Sequence, residues 1–211
     1  MNPCVCDDGA LIDVLSGMGA DGLPLGVNSG FGQILDPEIL RRARRGDAPA
    51  FEAIYRSYGR ACYNLAYRIL GESAAAEDLV QDVFLRMMAT VSKFRGDAPF
   101  GAWLKRMTIN CTIDVIRRNR RLRAEDASEF FDSLAGNEIS AESRVDAWTL
   151  LMRLGPRERA VVVLHEMEGY THKELAELFG QTESYSKSIL ARSLRRLEVD
   201  EILYPVPVEN P

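Results

Sequence analysis

The sequence predicts an all-α protein of two small helical domains joined by a flexible acidic linker, the second domain being a helix-turn-helix. Three observations lead there. Apolar residues recur at spacings of three and four in both halves of the chain. No segment shows the period-two alternation of a strand. A capping box, a stop glycine and a new helix start follow one another between Thr171 and Glu183.

The 211 residues suit one or two domains. A content of 46% hydrophobic and 27% charged residues is ordinary for a soluble globular protein. No run approaches the length of a membrane span, and no basic stretch precedes an apolar core at the N-terminus. A cytoplasmic protein without membrane insertion or signal peptide is therefore expected. Cys4 and Cys6 form a pair too closely spaced for a zinc knuckle, and Cys62 and Cys111 suit small core positions. The two histidines, His165 and His172, are far from them in sequence. No metal and no cofactor are expected.

Residues 1–35 are glycine-rich and without sustained period, and are expected to form a flexible N-terminal extension. Order is expected from Asp36-Pro37, an N-cap with proline at the first helical position, in a short helix that stops at Gly46. Phe51, Ile54, Tyr55, Tyr58, Cys62, Leu65, Ala66 and Ile69 mark one face of a second helix, ended by Gly71. Ser73 can cap a third, with Leu79, Val80, Val83, Phe84 and Met87 apolar. Residues 94–99 break the pattern as a loop, and a fourth helix runs from about Phe100 to Arg118. Residues 36–123 form the first domain and residues 124–147 the acidic linker. The second domain spans 148–199, its first helix beginning near Ala141, and 200–211 are a tail.

In the second domain Thr171 and Glu174 form the capping box of a helix from Lys173 to Phe179. Gly180-Gln181-Thr182 is the turn, and a further helix runs from Glu183 to about Leu197. In this layout the N-terminal part of the second helix meets base edges, with Ser184, Tyr185, Lys187 and Ser188 there. Arg192, Arg195 and Arg196 follow where phosphates are natural targets. An ordinary helical hairpin with solvated basic residues fits the same text less well.

The net charge of −5 conceals an uneven distribution. Residues 36–123 carry 17 Lys and Arg against 10 Asp and Glu, whereas 124–147 carry one base and seven acids. A basic block is thus set apart from a near-neutral one by an acidic connector.

The run Ala76-Glu77-Asp78-Leu79-Val80-Gln81-Asp82-Val83-Phe84-Leu85 resembles the most characteristic helix of bacterial sigma factors. Phe94-Arg95-Gly96-Asp97, then Phe100, Trp103-Leu104 and Asn110, resembles the next part of the same domain. Arg157-Glu158-Arg159, Gly169-Tyr170-Thr171, Leu175-Ala176 and Lys187-Ser188 resemble the promoter-binding domain. In this order the whole, over about residues 36–199, is similar to a small sigma factor of the extracytoplasmic-function (ECF) group, sigma-70 family.

The resemblance implies a subunit that joins core RNA polymerase through the β′ clamp and β flap, recognises minus-35 and minus-10 promoter DNA and melts it. It implies that Asp78, Gln81, Asp82 and Leu85 dock on the β′ clamp, an acidic face in a basic domain suiting a basic protein better than DNA. It implies that Phe94 and Asn110 help hold a base flipped from the minus-10 element, with Phe100 and Trp103 as stacking surface. Trp103 and Leu104 also read as plain core. Lys93, Arg95, Arg106, Arg117 and Arg118 would hold the backbone. An anti-sigma factor is an implied regulator, and the extension and the tail are candidate regulatory segments.

Two departures stand out. Where the group commonly has Gly-Thr-Val before the Lys-Ser, this chain has Ser184-Tyr185-Ser186, and Ile189 stands where a basic residue is frequent. A stand-alone helix-turn-helix regulator is the rival reading, but it leaves the Asp78–Asp82 face and the 94–110 constellation without purpose. Enzyme action is not expected: there is no phosphate loop, no nucleophile elbow and no triad.

Overall fold

The computed structural model describes residues 30–126 and 147–203, with side chains left undescribed at 122–126, 147 and 198–203. The expected linker, apart from its two ends, most of the N-terminal extension and most of the tail lie outside the described residues. Every regular element described is helical, as the sequence predicts. The chain divides into two compact units, the described residues up to 126 in one and those from 147 in the other.

In the first unit α1 spans Pro37–Ala43, α2 Ala48–Leu70, α3 Ser73–Thr90 and α4 Phe100–Asp126, with a 3-10 turn at Val91–Lys93. Asp36 caps α1, its carboxylate accepting from the Glu38 N–H at 2.8 Å. Gly71 ends α2 with φ of 79°, in the left-handed region that favours glycine. Ser73 is not the cap expected; it is the first helical residue, and Glu72 precedes it in extended conformation. Helix α4 runs well past Arg118, to Asp126, and so takes up the start of the expected linker.

Helices α2, α3 and α4 pack on one another. Ile54, Tyr58, Cys62, Leu65 and Ile69 of α2 meet Leu79, Val83 and Met87 of α3 and Leu104, Ile109 and Ile113 of α4, all at most 2% exposed. Burying such side chains stabilises a domain by about 1.5–3 kcal/mol each. Two threonines enter this core without penalty from an unpaired hydroxyl. Thr108 donates to the Leu104 carbonyl and Thr112 to the Thr108 carbonyl, each at 2.9 Å.

The packed domain begins upstream of Asp36. Phe31 is 5% exposed, and the Tyr58 hydroxyl donates to the Gln33 carbonyl at 2.7 Å. Residues 30–35, assigned by the sequence to the extension, thus belong to the first unit. Their backbone lies so close to α4 that a Cβ on Gly101 would sit 1.9 Å from the Phe31 carbonyl oxygen. The sequence signal was weak because a single aromatic residue among glycines has no period.

In the second unit α5 spans Ala147–Met152, α6 Pro156–Val162, α7 His172–Phe179 and α8 Glu183–Leu203. A π-helical turn at Val163–Met167 continues α6. Ala160 to Leu164 are five consecutive buried residues, because this segment has partners all round it: α8 beside α6, α7 beside the π turn. Helix α8 continues beyond Leu197 and beyond the expected domain end at 199. Among the described residues no helix is long and apolar enough to cross a membrane.

Gly101→Ala should destabilise the full chain by about 1–3 kcal/mol, since either the Phe31 strap or α4 must move. Urea unfolding followed by circular dichroism measures it; an unchanged midpoint would refute the close approach.

Candidate polymerase and nucleic-acid interfaces

Helix α3 buries Ala76, Leu79, Val80, Val83, Phe84 and Met87. The opposite face carries Asp78, Gln81, Asp82 and Leu85, all exposed, at the three- and four-residue spacings that align side chains along a helix. Leu85 is 63% exposed, and Met88, one turn further on, is 45% exposed. Met88 was missing from the sequence assignment because a methionine at the edge of an apolar face reads as core. Arg86 is turned to Asp114 of α4 at 3.6 Å. The stripe therefore combines two carboxylates with two uncovered apolar side chains.

On α4, Arg106, Asn110, Arg117 and Arg118 are exposed, as are Lys93 and Arg95 before it. Arg120 and Arg121 extend the cationic ridge. Asp114 interrupts that ridge and pairs with Arg117 at 3.9 Å as well as with Arg86.

The aromatic residues do not stand as the sequence reading offered them. Phe94 and Phe100 are 8% and 6% exposed. Their rings meet edge-on at 5.5 Å, and each lies within 5.4 Å of Trp103. Tyr58 closes on Phe100 at 5.7 Å. The faces expected to stack unpaired bases are largely occupied by one another, because an aromatic cluster gains more by mutual burial than by facing water. Only Trp103 is half-exposed. The Arg44 guanidinium of the α1 end donates to the Phe94 carbonyl at 2.5 Å and ties the loop to the first helix.

In the second unit the capping box is present. The Thr171 hydroxyl accepts from the Glu174 N–H, and the Glu174 carboxylate accepts from the Thr171 N–H at 2.8 Å. Gly180 ends α7 at φ of 61°. Thr182 opens α8, its hydroxyl oxygen accepting from the Tyr185 N–H at 3.2 Å. Ser184, Lys187, Ser188, Arg192 and Arg195 are exposed along α8, whereas Tyr185 is half-buried. Arg196 pairs with Glu158 at 3.7 Å.

The two departures from the group's usual text are both accommodated. Ile189 is 5% exposed and joins the core beside Leu190. Ser186 is 2% exposed, and its hydroxyl lies 3.0 Å from His172 Nδ1, so a polar residue is satisfied where an apolar one is usual. That bond links α7 to α8. His172 also lies against His165, ring centres 4.4 Å apart, and His165 Nδ1 is 2.9 Å from the Glu166 carboxylate. Burial, then the neighbouring His165 and Lys187, lower the pKa of His172 from its ordinary 6.5.

Arg159, in the sequence only a part of the Arg157-Glu158-Arg159 motif, has a structural role that the motif does not announce. It is 5% exposed and donates from Nη2 to the Leu154 carbonyl at 3.0 Å, holding the turn between α5 and α6. Burial lowers its pKa to about 10, which leaves it charged at neutral pH.

Comparison with known proteins now bears on both units. The Sigma-70 region 2 model matches residues 54–122, and the Sigma-70 region 4 model matches residues 144–197. The ECF RNA polymerase sigma factor SigM of Mycobacterium tuberculosis is 31% identical over 162 residues, covering 77% of this chain and 82% of that protein. The chain belongs to the ECF RNA polymerase sigma factors. SigE of Mycolicibacterium smegmatis, another ECF sigma factor, is 31% identical over 156 residues, which is 71% of this chain and 60% of that protein. A solved structure of the sigma factor RpoE with the anti-sigma factor NepR from Bartonella quintana aligns with 76% of this chain and 98% of that one, at TM-score 0.49 and 22% identity. In the present chain the two family models place region 2 on α2 to α4 and region 4 on α5 to α8.

The histidine pair has a consequence for stability. Folding holds His172 neutral at pH values where the unfolded chain, with the ordinary value of 6.5, has taken up a proton. Its contribution is full above that value and is lost as pH falls toward the lowered folded value. The melting temperature of the full chain should drop between about pH 7.5 and 5.5, and His172→Gln should flatten the drop. Equal slopes in the two proteins would refute the assignment.

Proposed function

We propose that this sigma factor docks on core RNA polymerase through α3, opens the minus-10 element with α4 and the loop before it, and reads the minus-35 element with α8. The observation that carries the reading is the pair of unlike faces in the first unit. Asp78, Gln81, Asp82, Leu85 and Met88 form a surface suited to a protein, because carboxylates repel phosphates while leucine and methionine gain by leaving water. Lys93, Arg95, Arg106, Asn110 and Arg118 form one suited to a nucleic-acid backbone. A stand-alone regulator needs only the second kind.

The β′ clamp is the partner assigned to the α3 stripe, and the β flap is assigned to the second unit. In the minus-10 site Trp103 and Asn110 offer the accessible stacking and hydrogen-bonding groups, with Phe94 and Phe100 packed against Trp103. In the second unit Ser184, Tyr185, Lys187 and Ser188 approach bases, and Arg192 and Arg195 approach phosphates. An anti-sigma factor that covers the α3 stripe would silence the chain by denying it the polymerase. The role places the protein in the cytoplasm with its polymerase and its DNA, as an initiation factor and not a catalyst.

Purified core enzyme with this chain should initiate at a promoter that core alone ignores. Asp78→Lys with Asp82→Lys should weaken core binding at least about tenfold, a loss of about 1.4 kcal/mol, while the far-ultraviolet circular dichroism stays unchanged. Unaltered core affinity would show that α3 is not the docking face. Tight operator binding without core-dependent initiation would favour the stand-alone regulator.

A further inference from the structure

Tyr185 is the one aromatic residue in the first turns of α8, set among Ser184, Lys187 and Ser188. It is half-buried, and Arg157 of α6 lies over its ring. The guanidinium carbon of Arg157 lies 4.7 Å from the centre of the Tyr185 ring and 5.8 Å from that of Phe179 on α7. One cation therefore bridges three helices, held by the negative faces of two rings. The position matters because Tyr185 falls in the segment where this chain departs from the usual text of its group. Ser186, in the same segment, takes its partner from outside α8, in His172. Tyr185 does likewise, in Arg157.

A tyrosine has two soft torsions, and an unanchored ring at the tip of a helix samples several orientations. A group that samples several orientations discriminates poorly between base edges. We infer that Arg157 is a positioning residue for minus-35 recognition: it fixes the Tyr185 ring against one base pair, so that the preference there belongs to the Arg157–Tyr185 pair. The inference rests on the reading that α8 enters the DNA groove. The chemistry expected of that contact is apolar, a ring against a base edge, of which a thymine methyl is the best-fitting partner.

The test uses the full chain with core RNA polymerase and a promoter library randomised across the minus-35 element, with transcripts sequenced. Wild type should show a preference of about tenfold at one position that depends on Tyr185. Tyr185→Ala and Arg157→Ala should both abolish preference at that same position, and the double variant should be no worse than either single one. Arg157→Lys, which keeps a cation over the ring, should restore most of it. Thermal melts accompany each variant, and Arg157→Gln replaces Arg157→Ala if the latter unfolds. A uniform loss across all sequences in the Arg157 variants would overturn the inference, since it reports a phosphate contact or a weakened domain. So would a preference that survives in Tyr185→Ala. If wild type selects no promoter with core, the sigma-factor role falls and this inference with it. If wild type selects and the Arg157 variants select identically, only this inference falls.

Discussion

The first unit depends on one constraint: three long helices share a single core, so each must turn one face inward and has only the opposite face left to present. Tyr58, Cys62 and Leu65 from α2, Leu79, Val83 and Met87 from α3, and Leu104, Ile109 and Ile113 from α4 meet in that core. Their burial decides where everything else points. Asp78 and Asp82 are outward because Leu79 and Val83 are inward, and Arg106 and Asn110 because Leu104 and Ile109 are. One domain thereby presents an acidic and apolar surface on α3 and a cationic surface on α4 and the loop before it, the two surfaces that the proposed role assigns to protein and to nucleic acid.

Polar groups within these cores are arranged by local means. Thr108 and Thr112 return their hydroxyls to carbonyls one turn back. Ser186 meets His172 across the helix-turn-helix, and Arg159 holds a carbonyl at the α5–α6 turn. The threonine and serine hydroxyls, costly to bury alone, are answered by partners, and Arg159 is answered at Nη2 while its buried Nε is not. The answer also restricts the geometry: the Ser186–His172 bond fixes the rotation of α8 against α7 more tightly than two apolar side chains would.

Much of this was legible in the sequence. The helix-turn-helix could be read because its signals are local: Thr171 with Glu174, Gly180, and the spacing of Leu175, Ala176 and Phe179. The α3 stripe could be read because a helix converts spacing into position. What could not be read depends on contacts distant in sequence. Phe94, Phe100 and Trp103 are aromatic residues in a loop and a first helical turn, and nothing in their spacing tells whether the rings face bases or one another. Phe31 is a lone aromatic residue, buried in a segment that approaches α2 and α4 where Gly30 nears Ala61, Gln33 meets the Tyr58 hydroxyl and the Phe31 carbonyl nears Gly101. Arg157 over Tyr185 joins residues 28 positions apart, and no period announces such a pair.

Asp114 changes the character of the α4 ridge. Its carboxylate already answers Arg117 and Arg86, so the row of unanswered cations among the described residues is not continuous. It falls into two centres, one around Lys93, Arg95 and Arg106 and one around Arg118, Arg120 and Arg121. Arg106 and Arg118 are twelve residues apart on the helix, about 18 Å along its axis. In the proposed role, a strand lying on α4 would be gripped at two points and left slack between them. That slack stretch would be where a base is cheapest to turn out, because the least backbone contact would have to be broken to let it go.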